Sequence, residues 1–150
     1  MKVLFLDIDG VLNRLGDEEG HGVVKKRVGR SKFVSLDPEV LAIYRAMIAQ
    51  LDVVVVLSSA WRMRPSLCRH LEQNGVDFDD ITPCADPTLD LLRGHEIQFW
   101  LDQFPVVKRY AILDDGSDML EHQMPNFFQA SPQTGLTREL ASQIVAHFTY

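Results

Sequence analysis

The run DVVVVLS, Asp52 to Ser58, constrains the fold more than any other stretch of this chain. It is almost wholly β-branched, which suits a pleated strand and not a helix, and it closes on two hydroxyl residues, Ser58 and Ser59. Two further runs have the same form. Lys2 to Asp7 is apolar until its terminal acid, and Arg109 to Leu113 closes on Asp114-Asp115. Continuous apolar runs of this length, without alternation, fit strands buried on both faces of a parallel sheet. A weak strand at Asp79 to Thr82 and a short last one at Phe127 to Ala130 complete the set.

Helices are predicted between these strands. Asp37-Pro38 supplies a cap followed by a proline in the first turn, and Leu41, Tyr44, Met47, Ile48 and Leu51 keep helical spacing. Pro65 to Gln73 reads as a second helix, closed by Asn74-Gly75. Gly94 to Phe104 carries Ile97, Trp100, Leu101 and Phe104 on one stripe, and Thr137 to Phe148 is amphipathic. Strands alternating with helices predict an α/β protein with a single Rossmann-like, doubly wound parallel sheet. A chain of 150 residues is the size of one domain with one sizeable core, so residues 1–150 are expected to form a single domain. Within it, residues 14–35 are polar and rich in glycine and charge, and a loop or small hairpin, a flap, suits them.

No apolar run approaches the roughly 18 residues of a membrane span. The apolar stretch at the N-terminus is too short for a signal peptide and is interrupted by Asp7 and Asp9. A cytoplasmic protein is therefore expected, with Cys68 and Cys84 as reduced thiols, since their spacing suits neither a metal site nor a disulfide scaffold. The net charge of −6 argues against a grip on nucleic acid by the whole surface.

In parallel α/β sheets ligands bind beyond the carboxyl ends of the strands. Three strands of this chain end there in Asp7, Ser58-Ser59 and Asp114-Asp115, so these residues are expected to converge. A strand-end carboxylate such as Asp7, near a divalent cation, can attack phosphorus and form an aspartyl-phosphate. Asp9, two residues on, could protonate the leaving oxygen and later activate water, and Gly10 would let backbone amides approach the phosphate. The same DIDG stretch also reads as a plain capped turn. Asp114 and Asp115 repel one another unless a cation offsets them, and oxygen donors of this kind suit Mg2+. Ser58 and Ser59 could contact phosphate oxygens or cap a helix, and the two uses are compatible. Arg93 could neutralise the charge of aspartate and phosphate together, or lie on the surface. Asp118 reads as a supporting acid or, preferably, as a helix cap. The five histidines lack ligand spacing.

LFLDIDGVLN, VVVVLSSAWR, Arg93 and AILDDGSDM, in that order, resemble the four motifs of the haloacid dehalogenase (HAD) superfamily of phosphohydrolases. DIDGVLN, LSSAWR, RGHEIQFWLD, ILDDGSDM and SPQTGLT are similar to a narrower branch, the HAD domain of Swiss-army-knife RNA repair proteins. The resemblance runs from residue 2 to about residue 140. It implies a HAD core, Asp7 as nucleophile, Asp9 as general acid/base, and phosphate contacts from Ser58 and Arg93. It also implies Mg2+ held by Asp7, the Asp9 carbonyl and Asp114, with Asp115 supporting. The third motif is more often lysine in the superfamily, and Arg93 keeps the charge. The presence of Asp9 favours phosphatase chemistry over dehalogenation.

Family members often carry a cap domain, but here neither residues 14–35 nor the stretch from Ser59 to Leu92 leaves room for one. An uncapped site admits large substrates, such as a polynucleotide end or a protein, or needs a partner subunit to close it; the phosphorylated substrate is expected to be a polynucleotide end or a nucleotide. The flap carries Arg14, Lys25, Lys26, Arg27, Arg30 and Lys32 against Asp17, Glu18 and Glu19, a local excess of base that favours polyanions or simply guards a hairpin edge. Trp61 reads as a core anchor or a stacking platform for a base, and Arg62 equally as a grip on a second phosphate or as an arginine with no part in the site. The rival expectations are a small-metabolite phosphatase, a phospho-acceptor domain and a non-catalytic phosphate-binding module.

Overall fold

The computed structural model describes residues 1–17, 19 and 21–150. In chain order the elements are β1 (Lys2–Leu6), β2 (Lys25–Val28), β3 (Ser31–Val34), α1 (Pro38–Ile48), β4 (Val54–Leu57), α2 (Pro65–Gln73), β5 (Asp80–Ile81), α3 (Arg93–Gln103), β6 (Arg109–Asp114), β7 (Phe127–Gln129) and α4 (Arg138–Thr149). Two 3-10 turns, Ala60–Met63 and Glu121–Asn126, join them. β5, β4, β1, β6 and β7 form one parallel sheet in that order, with β1 at its centre. β2 and β3 pair antiparallel as a separate hairpin.

The sheet is covered on both faces, as its apolar strands require. Leu4 and Leu6 of β1 join Val55, Leu57, Ala111 and Leu113 in one core layer under α1, α2 and α4. Val3 and Phe5 point the other way and meet Val56, Ile112, Ile97 and Trp100 beneath α3. This is the doubly wound, Rossmann-like arrangement that the alternation of elements predicts. Asp37 caps α1 through bonds from the Glu39 and Val40 amides, and Thr137 caps α4 through a bond from the Leu140 amide. Among the described residues, no helix is long and apolar enough to cross a membrane.

Within the predicted flap, the hairpin closes on the body through Phe33, which is buried edge-on against Trp61 at 5.3 Å between ring centroids. Cross-strand pairs share a face. The pairs Lys26–Phe33 and Val28–Ser31 therefore look inward, and Lys25–Val34 and Arg27–Lys32 look outward. No cap domain follows β4, since α2 and the short β5 account for that stretch.

Candidate active site

Register brings the strand ends together. Leu6 is aligned with Leu57 on one side and with Leu113 on the other. The next residue of each strand is therefore Asp7, Ser58 or Asp114. The Asp7 amide donates to the Leu113 carbonyl at 3.0 Å, and the Ser58 amide donates to the Leu6 carbonyl at 2.9 Å. All three side chains are buried. Oxygens of Asp7, Asp114 and Asp115 lie within 4.8 Å of one another.

Two buried acids side by side are costly to ionise. Burial pushes the Asp7 carboxyl well above the usual carboxylate range, and the neighbouring Asp114 charge adds to the effect, while Arg93 opposes it. Asp114 is raised to about 6, again mainly by burial, with the Gly116 amide and Arg93 pulling the other way. Such a cluster of hard oxygen donors, short of positive charge, could hold a divalent cation. Asp115 is fixed in it by close approach. Gly10 has φ +77°, and a Cβ there would overlap the Asp115 carboxylate.

Asp9 lies outside this carboxylate cluster. One of its oxygens accepts from Asn13 Nδ2 at 2.9 Å and the other from the Trp61 indole nitrogen at 3.2 Å. Asn13 is buried and also accepts the Gly10 amide at 2.8 Å. The Gly10 amide itself is therefore engaged within the turn. Trp61 is buried against Phe33, which excludes the stacking platform and leaves the core anchor, now with a polar role.

The hydroxyl of Ser58 has no hydrogen-bond partner in the protein, and neither has Arg93 Nη1, although both atoms are buried. An orphaned buried polar atom is expensive and points to a missing ligand. Ser59 differs from its neighbour. Its hydroxyl accepts from the Trp61 amide and so caps the 3-10 turn 60–63, the capping use weighed for this serine.

Arg62 requires a correction. Its Nε donates to Thr82 O, Nη1 to the carbonyls of Ser58 and Ser59, and Nη2 to Glu96 and Pro83 O. With a buried guanidinium committed in every direction, Arg62 forms the wall of the site and does not reach a substrate. Glu96 links it to Arg93, pairing with Arg62 at 2.9 Å and with Arg93 Nε at 3.3 Å. Asp118 proves to be a cap, but of α3 and not of a helix beginning at its own position. Its carboxylate takes the Arg93 amide and its carbonyl takes the Gly94 amide. A Cβ on Gly94 would meet Gln123 Oε1 at 2.6 Å and the Leu120 amide at 2.7 Å, so glycine is what lets α3 dock here.

Glu96, Asn13 and Gly94 went unrecognised at the level of sequence. Arg93 and Glu96 stand three apart, the spacing of a helical ion pair, which is the one signal that could have drawn attention to Glu96.

A parallel sheet whose central strands end in a buried aspartate, an unpartnered hydroxyl and an acid pair is the arrangement of a HAD-type hydrolase domain. Over residues 3–141 the chain matches the family described as the HAD domain in Swiss Army Knife RNA repair proteins, and it belongs to that family. No curated protein matches it.

Proposed function

We propose that the protein is a Mg2+-dependent phosphohydrolase acting through an aspartyl-phosphate on Asp7, with a nucleotide or nucleic-acid terminal phosphate as substrate. The observation that carries this reading is the alignment of a buried Asp7 between the unpartnered Ser58 hydroxyl and Asp114, with the orphaned Arg93 Nη1 in electrostatic contact with both acids.

In the first step an Asp7 oxygen forms a bond to phosphorus as the bond to the leaving oxygen breaks, and Asp9 gives that oxygen its proton. In the second step Asp9 takes a proton from water, and the water oxygen displaces Asp7 as inorganic phosphate departs. Ser58 Oγ and Arg93 Nη1 would bind the phosphoryl oxygens and hold them in line. Asp7 and Asp114, with the Asp9 carbonyl and Asp115 in support, would hold Mg2+, which would offset the negative charge gathered on aspartate and phosphate.

Two features support a large anionic substrate. Among the described residues no cap covers the strand ends, and the hairpin beside Trp61 presents Lys25, Arg27 and Lys32 on its outward face with Arg30 at its turn. Arg27 and Lys32 stand directly opposite each other, a like-charge pairing that costs stability unless an anion offsets it. Arg14, by contrast, is taken up by Asp37 and Glu39. Free thiols at Cys68 and Cys84 are compatible with work in the cytosol.

The test is phosphate release, with Mg2+ present or chelated, from 3′- and 5′-phosphorylated oligonucleotides, mononucleotides and an aryl phosphate. Selective turnover of an oligonucleotide supports the reading. Selective turnover of mononucleotides fits the nucleotide form of the same reading, turnover of the aryl phosphate alone makes the protein a small-metabolite phosphatase, and no turnover of any leaves a phosphate-binding module.

A further inference from the structure

We infer that Trp61 and Asn13 are positioning residues that aim the Asp9 carboxylate and tie it to the β2–β3 hairpin. The inference rests on the phosphatase reading for the role of Asp9, while the geometry stands independently of it. Each Asp9 oxygen receives one N–H, from Asn13 at 2.9 Å and from the Trp61 indole at 3.2 Å. A carboxylate held at both oxygens keeps one orientation, and a proton donor must be well oriented to protonate a leaving group as its bond breaks.

Both donors are themselves fixed, and both touch the hairpin. Trp61 is 3% exposed, packs edge-on against Phe33 of β3, and has its amide taken by Ser59 Oγ at 3.1 Å. The Nδ2 group of Asn13, which is fully buried, also donates to the Val34 carbonyl of β3 at 3.2 Å, while its Oδ1 accepts the Gly10 amide. Two separate contacts therefore run from one strand of the hairpin to the two oxygens of one acid. The hairpin that carries the basic outward face is thus a structural support of the acid/base and not a loose appendage.

General-acid assistance matters most when the departing oxygen is a poor leaving group and least when it leaves readily as an anion. A positioning role for Trp61 therefore predicts selective damage. Trp61→Phe keeps an aromatic ring on the Phe33 side and removes the indole N–H together with part of the ring volume, a packing loss that falls on both esters alike. In the Michaelis complex Asp9 transfers its proton to the leaving oxygen as the Asp7–phosphorus bond forms, and kcat/KM covers only steps through that departure.

The experiment compares kcat/KM of wild type and Trp61→Phe on an alkyl phosphate, such as a nucleoside monophosphate, and on nitrophenyl phosphate. We expect a loss of about tenfold or more on the alkyl ester and less than about threefold on the nitrophenyl ester, toward the limit set by Asp9→Asn, where general acids contribute roughly 10²- to 10⁴-fold. Asn13→Asp, which keeps an acceptor for the Gly10 amide and loses both donors, should shift the ratio in the same direction. Equal losses on both esters would overturn the inference. A second readout needs no turnover. Trp61 and Trp100 are the two tryptophans of the chain, so their indole N–H signals are readily told apart in a 15N-labelled sample. In Asp9→Ala the Trp61 signal should move upfield and exchange faster, while that of Trp100, bonded to Asp80, stays in place. An unmoved Trp61 signal overturns the inference. If wild type hydrolyses neither of these esters nor a 3′- or 5′-phosphorylated oligonucleotide, the phosphatase reading fails, and the indole signal alone decides whether Trp61 holds Asp9.

Discussion

Oxygens of Asp7 and Asp114 lie within 4.8 Å of each other, and both side chains are buried. In the unfolded chain an aspartate ionises near pH 3.9. Folding raises Asp114 to about 6 and Asp7 in the same direction, so over this interval the unfolded chain has released protons that the folded one retains. Stability is then lost as pH rises from about 4 through about 6. For Asp114 alone the loss is on the order of 3 kcal/mol. Thermal melts in chelator should show Asp114→Asn no more stable than wild type at pH 4 and more stable by several degrees at pH 7.5. A gap that stays constant across this range would contradict the crowding of these two acids.

The same crowding predicts how a cation acts. A ligand that binds only the folded state stabilises it in proportion to occupancy. Protons compete for carboxylate ligands, so the effect grows with pH. Millimolar Mg2+ should raise the melting temperature of wild type at pH 7.5 and have little effect at pH 4.5. In Asp7→Asn and Asp114→Asn the rise at pH 7.5 should be absent. A full rise in either variant would place the cation elsewhere.

Asp7→Asn should also separate activity from folding. The amide has nearly the shape of the carboxylate but is neither an effective nucleophile nor a charge beside Asp114. Phosphate release should fall to background while the melting temperature in chelator at pH 7.5 equals or exceeds that of wild type. Opposite movement of the two quantities is the mark of charges kept for chemistry at the expense of stability. Unchanged turnover in this variant would refute the covalent mechanism.

Glu96 is the hinge between a wall residue and a ligand-facing one. It pairs with buried Arg62 at 2.9 Å, with Arg93 Nε at 3.3 Å, and accepts the Ala85 amide. Removing one partner of a buried pair leaves the other charged and unsatisfied, at a cost of about 3 kcal/mol or more. Glu96→Ala should therefore melt some 6–12 °C lower, taking roughly 2–4 °C per kcal/mol for a domain of this size. It should also weaken phosphate binding, measured as a rise in the inhibition constant of inorganic phosphate, because Arg93 loses its anchor. Wild-type stability in this variant would mean that Arg62 is satisfied by carbonyls alone.

The sheet was legible because its signals are local. Three apolar runs ending in Asp7, Ser58 and Asp114 state both the strand and the point where the chain leaves the core. Parallel topology then puts those ends side by side. Capping chemistry placed the starts of α1 and α4 to within a residue, since Asp37 and Thr137 act on amides only two or three positions away, whereas α1 ends at Ile48, short of the Leu51 that the spacing included. Arg62 was misread because its fate depends on carbonyls up to 21 residues distant and on a glutamate 34 residues away, and no local pattern announces an arginine whose donors are all engaged. Asp118 shows the same thing on a smaller scale. Its capping character was legible, but the helix it caps begins 25 residues earlier. The bonds to Asp9 escaped notice for a third reason: Trp61 lies 52 residues from Asp9, and the turn reading of DIDG does not say which side chain closes the turn.

Gly10 joins the local and the distant parts of the site. Its φ of +77° lies in the left-handed region, where a residue with a Cβ pays about 1–2 kcal/mol. The added Cβ would also run into the Asp115 carboxylate, which belongs to the acid cluster. Gly10→Ala must therefore either strain the turn between Asp7 and Asn13 or push Asp115 away from Asp7 and Asp114. Either movement disturbs the cluster from outside, without removing a ligand. We expect a melting temperature lower by a few degrees in chelator and, separately, a weaker response to Mg2+ than in wild type. Titrating the melting temperature against Mg2+ at pH 7.5 distinguishes the two effects. If Gly10→Ala lowers stability but binds the cation with unchanged affinity, the turn absorbs the strain alone and Asp115 keeps its place in the cluster.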